Sequence, residues 1–224
     1  MSLLDYILEP VEHRLPILLG NSTFLSQLIG IPLDMICLTC HRPTPGTLCD
    51  RCRATLRPAR ERVLPGGIRL VSAFEHTGAA TELIHHLKYR GLGGYPELVA
   101  EMIAPRLSAR PLVPVPRAWS RRLKHGVDPA LEIAAALARR LDVPVLRMLR
   151  ARVHSPRRAG RDHSRVVRSF EPRGHVRDQV ILVDDVFTTG ATVSAAITSL
   201  GIDRVLAVVT ANDASSGSIL MPSV

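Results

Sequence analysis

The sequence has little of several features that common functions require. Aromatic residues make up only 4% of its 224 residues, so a base-stacking platform of the kind found in single-strand-binding proteins would be sparse. Lysine occurs only at Lys88 and Lys124, and almost all of the positive charge is therefore guanidinium, which suits bidentate contacts with phosphate. The uncharged stretch 15–33 contains polar residues and two prolines, so we expect no membrane span.

The N-terminal region also lacks the pattern of a secretory signal. Acidic residues, Asp5 and Glu9, precede the apolar stretch where a signal peptide carries basic ones. Residues 21–29 predict a short amphipathic helix that docks on the main domain. We therefore expect a cytoplasmic protein with a helical leader over residues 1–33.

The composition is that of a folded, strongly basic protein. Hydrophobic residues make up 46% of the chain, and the length allows one full domain and one small module. The formal charge of +9 favours a polyanionic partner or a phosphate-bearing ligand, although the bias toward arginine is equally compatible with genome composition.

All four cysteines lie in one short stretch. Cys37 and Cys40 are separated by two residues, as are Cys49 and Cys52, and eight residues connect the two pairs. This spacing is typical of two knuckles that hold one tetrahedral zinc, and the closed set of four thiolates indicates a structural Zn²⁺. Two disulfides are the alternative, which is disfavoured because nothing indicates an oxidising compartment. His41 is interpreted as a bystander.

Alternating strand and helix patterns follow the cysteines. They predict an α/β fold in which a parallel sheet is flanked by helices and is preceded by a small four-cysteine zinc ribbon. The predicted strands are 68–74, 112–115, 145–149, 180–183 and 205–209, and the predicted helices are 79–89, 96–107, 129–141 and 192–200. The corresponding domains are the leader 1–33, the zinc ribbon 34–57, a linker 58–67 and the main domain 68–224.

Residues 150–177 form the most basic part of the chain. They contain nine arginines, three histidines and two acids, which predicts a long, mobile loop. Such a loop is either a solvent-exposed segment with no specific role or a surface that binds phosphates. Arg157, Arg158 and Arg161 are the candidate contacts to nucleic acid in the second case.

The segment VILVDDVFTTGAT, at 180–192, carries the strongest chemical signal. Its first four residues predict a buried strand, and Asp184 and Asp185 follow where open α/β sheets place their ligands. The small residues from Thr188 to Thr192 then lead into a helix whose N-terminal N–H groups favour an anion. Threonines and amides beside two carboxylates suit a sugar phosphate.

This segment resembles the ligand motif of type I phosphoribosyltransferases. Together with the cysteine knuckles, HLKYRG at 86–91 and VPVP at 113–116, the chain is similar over about residues 34 to 210 to the ComF family of competence proteins. The resemblance implies a type I phosphoribosyltransferase-like domain that binds phosphoribosyl pyrophosphate (PRPP) with Mg²⁺.

The resemblance also implies a role for each matching residue. Asp184 and Asp185 are the candidate catalytic residues, which contact the ribose hydroxyls and help to organise magnesium. Arg117, after VPVP, corresponds to the pyrophosphate loop. Lys88 and Arg90 are further candidate cations for pyrophosphate, and the alternative is that they are exposed residues at the end of a helix. The remaining PRPP-binding candidates form the phosphate loop: Thr188, Thr189, Gly190, Ala191 and Thr192.

Two functions remain open at this point. One is an enzyme that transfers the phosphoribosyl group to an unknown acceptor. The other is a non-catalytic accessory that binds single-stranded DNA beside competence-machinery proteins. The sequence departs from the wider pattern at Thr188, where 6-oxopurine enzymes carry an aspartate base, and in the arginine-rich stretch 157–170.

Overall fold

The computed structural model describes residues 36–90, 94–117, 127–151, 170–174 and 178–214. The predicted N-terminal helix and the candidates Arg157, Arg158 and Arg161 lie outside these residues. No helix in the described part of the chain has the length and apolar character needed to cross a membrane.

A five-stranded sheet forms the centre of the fold, with the strand order β1–β2–β7–β6–β3. Strand β1 (Arg62–Val63) is antiparallel to β2 (Arg69–Glu75). The other strands run parallel to β2 and to one another: β3 (Leu112–Pro114), β6 (Val180–Phe187) and β7 (Val205–Asp213). The short strands β4 (Leu149–Ala151) and β5 (Phe170–Pro172) pair separately as an antiparallel ribbon.

Within the described ranges, five α-helices connect and cover the strands. They are α1 (Asp50–Arg53), α2 (Ala79–Arg90), α3 (Tyr95–Ile103), α4 (Pro129–Leu141) and α5 (Ala191–Leu200). Short 3₁₀ turns lie between elements, at Pro65–Gly67, Ala104–Arg106 and Ile202–Arg204.

Apolar packing covers both faces of the sheet, because each central strand is buried on both sides. On one face, Val183 packs in a cluster with Leu83 of α2 and Leu137 of α4. On the other face, Leu182 packs with Val193 of α5. Continuous apolar strands are expected where helices cover both sides of a parallel sheet. The predicted α/β fold class is thereby confirmed, with the four cysteines grouped ahead of the sheet.

Several predicted boundaries differ from the structure. Strand pairing in β6 continues to Phe187, so the two aspartates lie within the strand rather than after it. Helix 96–107 ends at Ile103 and passes into the 3₁₀ turn Ala104–Arg106, in which Pro105 has no N–H to continue the helix. The predicted strand 145–149 is wrong in most of its length: Val145 makes one bridge to Leu112, and regular pairing begins again only at Leu149.

The segments predicted as linker and loop also carry regular structure. Within the predicted linker 58–67, β1 adds an antiparallel edge to the sheet. The predicted loop 150–177 is wrong at its ends, because residues there pair as the β4–β5 ribbon. Hydrophobic residues at the ends explain the ribbon, since Leu149 and Phe170 are both buried against the α5 side of the sheet.

Candidate functional site

Polar residues collect where three neighbouring parallel strands end. Asp184 and Asp185 lie on β6, while Asn212 and Asp213 end β7 and are in register with Val186 and Phe187. His76 follows β2, and its backbone N–H donates to Asp213 O at 2.8 Å. We call this group of five polar residues the carboxyl edge, the part of an open α/β sheet where ligands usually bind.

The two aspartates are held rigidly by the backbone. Asp184 is buried, with 8% of its surface exposed, and its Oδ1 accepts a hydrogen bond of 2.9 Å from the Asp185 N–H. Asp185 is half-buried, and its Oδ1 accepts one of 2.7 Å from the Val186 N–H. The backbone therefore fixes each carboxylate separately: adjacent residues of a strand face opposite sides of the sheet, so Asp185 lies on the side of α2 and Asp184 on the side of α5.

Lys88 supplies the positive charge beside these carboxylates. Its Nζ lies 3.0 Å from Asp185 Oδ2, and the two side chains are 24% and 22% exposed. Such a partly buried pair is less screened by salt than a pair on the open surface. The structure therefore places Lys88, a predicted ligand of pyrophosphate, in direct contact with a predicted catalytic carboxylate.

The side chain of Arg117 binds the backbone of the same lysine. Its Nη1 donates to Lys88 O at 3.0 Å and to Val127 O at 3.3 Å. Its backbone N–H lies 3.4 Å from Asp128 Oδ2. Arg117 therefore lies next to Lys88, and its guanidinium also binds the chain that enters α4.

A chain of hydrogen bonds from Tyr95 through Asn212 to His76 holds two residues of the carboxyl edge in position. The hydroxyl of Tyr95 donates to Asn212 Oδ1. Asn212 Nδ2 in turn donates to Ala80 O at 2.8 Å and lies 3.0 Å from His76 Nδ1. Because the amide nitrogen is a donor, His76 Nδ1 accepts, and the neutral ring carries its proton on Nε2.

The surroundings of His76 favour its neutral form. Burial lowers the pKa of His76, and the positive charge of Lys88 lowers it further, whereas Asp185 acts in the opposite direction. Sequence reasoning missed His76, Asn212 and Tyr95. The available signal was the position of the first two, directly after the apolar stretches of two neighbouring strands.

The predicted phosphate loop joins β6 to α5. Thr188 and Thr189 are exposed, and Gly190 is buried with φ of 77°, a conformation that favours glycine. Helix α5 begins at Ala191, whose N–H lies 3.4 Å from Thr189 Oγ1. Thr192 lies in the first helical turn, so its N–H points toward the loop, where the helix dipole favours an anion.

The four cysteines form a second site. Their Sγ atoms all lie within 4.8 Å of one another, and Cys40 Sγ is 3.7 Å from Cys49 Sγ. Bonds of about 2.3 Å from a tetrahedral zinc to each sulfur require sulfur-to-sulfur distances of about 3.8 Å. Cys37, Cys40, Cys49 and Cys52 therefore fit a zinc ion in number, chemistry and spacing.

Electrostatics at the cysteine cluster also favour a cation. Burial acts to raise the pKa of Cys37, but the backbone N–H groups of Cys40, Cys49 and Thr39 outweigh it and lower that pKa to about 6. Burial and the neighbouring thiols raise the pKa of Cys52 to about 12. A cluster that stabilises one thiolate and opposes another needs a positive ion to become fully ionised.

The described part of the predicted zinc ribbon, residues 36–57, packs directly on α2, the helix that carries Lys88. We call these residues the cysteine module. Thr55 Oγ1 donates to Cys52 O at 2.8 Å and accepts from Ala79 N, the first residue of α2, at 3.1 Å. At the other end of the module, the His41 ring lies 5.4 Å from the His86 ring of α2. The module therefore caps α2 at its start and contacts it again close to Lys88.

No protein-family model matches the chain, and no curated protein matches it. Among solved structures, the chain is similar to an orotate phosphoribosyltransferase from Aeropyrum pernix, with 21% identity and a TM-score of 0.30, over 75% of this chain and 81% of that one. The α/β assignment rests on the sheet and helices described above.

Proposed function

We propose that the protein binds Mg²⁺-PRPP at the carboxyl edge and transfers its phosphoribosyl group to an acceptor. The observation that carries this proposal is the order of three features along the chain: the carboxylates of β6, the loop that follows them and the N-terminus of α5. Two carboxylates fixed by the backbone, Asp184 and Asp185, stand immediately before a loop that turns at Gly190 into the N-terminus of α5. Hydroxyl-binding and phosphate-binding groups are thus adjacent.

Each part of this arrangement suits one part of the substrate. The N–H groups and hydroxyls from Thr188 to Thr192 would hold the 5′-phosphate, which the dipole of α5 favours. Asp184 and Asp185 would accept hydrogen bonds from the ribose hydroxyls. Lys88 and Arg117 would face the pyrophosphate. Magnesium, for which carboxylate oxygens are suitable ligands, would supply charge neutralisation of the leaving group.

The proposed reaction replaces one bond at the anomeric carbon by another. The bond from that carbon to a pyrophosphate oxygen breaks, and its electron pair leaves with pyrophosphate. A bond to a nitrogen of the acceptor forms from that nitrogen's lone pair, and the proton that the nitrogen loses passes to the departing pyrophosphate. The neutral His76 ring beside Lys88 and Asp185 would donate through Nε2 rather than take up that proton, since its Nδ1 already accepts from Asn212.

Other parts of the proposal concern the family and the cell. The likeness of the segments at 86–91, 113–116 and 180–192 supports membership of the ComF family and a link to DNA uptake. The cysteine module would hold a structural Zn²⁺, which is consistent with a reducing compartment such as the cytoplasm. For the whole chain we propose the domain limits predicted from the sequence: a leader 1–33, a zinc ribbon 34–57, a linker 58–67 and a main domain 68–224.

A second candidate function is the binding of single-stranded DNA without catalysis. It is favoured by the formal charge of +9 and by the exposed Arg150 and Arg173 on the β4–β5 side of the chain, between which the arginine-rich stretch lies. Such binding would be mainly electrostatic, so its affinity would fall steeply with salt. Arg157, Arg158 and Arg161 would be the contacts to substitute.

The decisive experiment is calorimetric titration of Mg²⁺-PRPP into the wild type and into an Asp184→Asn, Asp185→Asn double variant. The wild type should bind and the variant should not. A matched control, Asp142→Asn with Asp203→Asn, changes two exposed aspartates away from the site and should bind like the wild type. A folded wild type that binds no PRPP would refute the proposal and favour the DNA-binding function.

A further inference from the structure

A cavity lies on the outer side of β3, where that strand ends, and it shares Arg117 with the proposed PRPP site. Residues 144–146 run along that side, where Leu146 N donates to Leu112 O at 2.7 Å. The cavity has a volume of about 260 Å³ and lies between the end of β3, the start of α4 and the β4–β5 ribbon. None of the residues from Asp184 to Thr192 lines it.

The wall of this cavity is strongly positive. Four arginines line it, with one acidic residue, Asp128. The four, which we call the arginine wall, are Arg117, Arg147, Arg150 and Arg173. Arginines that converge on a concave, partly apolar surface focus a positive potential into it and suit bidentate contacts with phosphate oxygens.

The remaining lining is apolar and suits a second part of the ligand. Pro114, Pro116, Leu131 and Leu149 line the cavity, and we call these four residues the proline and leucine floor. Such a floor, with guanidinium planes beside it, can hold a nucleobase by packing and stacking. Asp128 adds a carboxylate that can accept hydrogen bonds from sugar hydroxyls.

We propose that this cavity is a binding site for a nucleoside phosphate, with the phosphates on the arginine wall and the base on the proline and leucine floor. Four guanidinium groups in one lining suit a diphosphate better than a single phosphate. At about 260 Å³ the cavity is smaller than the usual ligand pocket of about 300–1,000 Å³, so a ligand no larger than one nucleotide suits it. Apart from Arg117, the cavity uses none of the residues proposed to bind PRPP, so ADP binding can be tested separately from PRPP binding.

Part of the wall is already held in position. Arg117 donates to the carbonyls of Lys88 and Val127, and its N–H lies 3.4 Å from Asp128 Oδ2. A ligand on the arginine wall would therefore meet a side chain whose conformation is fixed before binding, which lowers the entropic cost of association. The same contacts connect the cavity to Lys88 and thus to Asp185.

The test is calorimetric titration of ADP into the wild type and into an Arg150→Gln, Arg173→Gln double variant. Both side chains are exposed, so the variant should fold, which circular dichroism would verify. We expect ADP affinity to fall at least about tenfold, because two charge-assisted contacts to phosphate are lost. The control is Arg110→Gln, an exposed arginine outside the cavity, which should bind ADP like the wild type.

Two further arms separate this site from the carboxyl edge and identify the source of the nucleotide. The Asp184→Asn, Asp185→Asn variant should still bind ADP. If it loses ADP binding, or if wild type and double arginine variant bind ADP equally, the proposal is overturned. A short single-stranded DNA that displaces ADP would support the site with a DNA strand as the source, and DNA that leaves ADP bound would support a free nucleotide.

Discussion

Lys88 Nζ lies 3.0 Å from Asp185 Oδ2, and this ion pair connects helix α2 to the carboxylates of β6. Arg117 donates to the carbonyl oxygen of the same lysine at 3.0 Å. One residue near the end of α2 therefore touches both the acidic and the basic parts of the proposed PRPP site. The contacts of Lys88 make it the most informative single position for a first substitution.

Replacing Lys88 by methionine should weaken the binding of Mg²⁺-PRPP by about tenfold, because the ligand loses one charge-assisted contact and Asp185 loses its cation. Methionine keeps the length of the side chain and its helix propensity. Calorimetric titration measures the change. Arg139→Gln, which removes the cation of an exposed ion pair with Glu97, is the matched control and should bind normally. Equal affinities for K88M and the wild type would remove Lys88 from the site.

His76 should make the stability of the protein depend on pH. Its pKa is lower in the folded chain than the ordinary value of 6.5, so the unfolded state binds more protons below that value. The contribution is complete above pH 6.5 and is lost as the pH falls through 6.5 toward the folded pKa. We expect the unfolding free energy of the wild type to fall more steeply over this range than that of His76→Gln.

Urea unfolding at several pH values between neutral and mildly acidic conditions would measure this difference. Other titrating groups, including the cysteines, are common to both proteins and cancel in the comparison. Parallel pH profiles for the wild type and His76→Gln would contradict the neutral assignment. Nitrogen-15 chemical shifts of the ring provide a second readout and should show the proton on Nε2.

The cysteine cluster should bind one zinc per chain, and removal of that zinc should unfold the module. Four thiolates close the coordination shell, and the short segment has too little apolar material to fold without the metal. Elemental analysis measures the stoichiometry, and circular dichroism follows unfolding on addition of a chelator. Cys40→Ser, at the exposed position of the cluster, should lower zinc affinity.

Two results would argue against this assignment. One is a folded preparation that contains no metal. The other is four cysteines that resist alkylation until a reductant is added, which would indicate disulfides. Zinc release on treatment with a thiol-modifying reagent would distinguish a thiolate site from adventitious metal bound elsewhere on the surface.

Thr55→Ala should destabilise the protein by about 1 kcal/mol, because it removes the hydroxyl that accepts a hydrogen bond from the first N–H of α2. Thr55→Ser keeps this hydroxyl and should retain most of the stability. Chemical denaturation measures both variants. A T55A protein as stable as the wild type would show that the cysteine module does not support α2 through this contact.

Local patterns predicted the fold well where one segment carried its own signal. Helix α4 has the predicted bounds, because Pro129 suits the first helical turn and the apolar residues repeat along one face. The strand at 180–183 was predicted because four consecutive apolar residues are typical of a strand buried on both sides. At 145–149 the apolar pattern was misleading, since Val145 makes only one bridge before the chain turns into β4.

The site was predictable only where its residues are neighbours in sequence. The segment 180–192 contains both carboxylates and the loop, so its spacing was informative. His76 and Asn212 are 136 positions apart, and their contact exists only because β2 and β7 pair in parallel. Tyr95, in α3, joins them through Asn212. A cluster assembled from three separate elements leaves no short motif in the sequence.

The chain between the cysteine module and β2 has a consequence for how the protein can be divided. Glu75 N donates to Arg57 O at 2.8 Å, Ala59 N donates to Ala73 O at 3.2 Å, and β1 pairs with the start of β2. These residues cover the edge of β2, whose N–H and C=O groups would otherwise be free to pair with a strand of another molecule. A truncated protein that begins at Ile68 would expose that strand, and it should aggregate edge to edge even with its carboxyl edge intact.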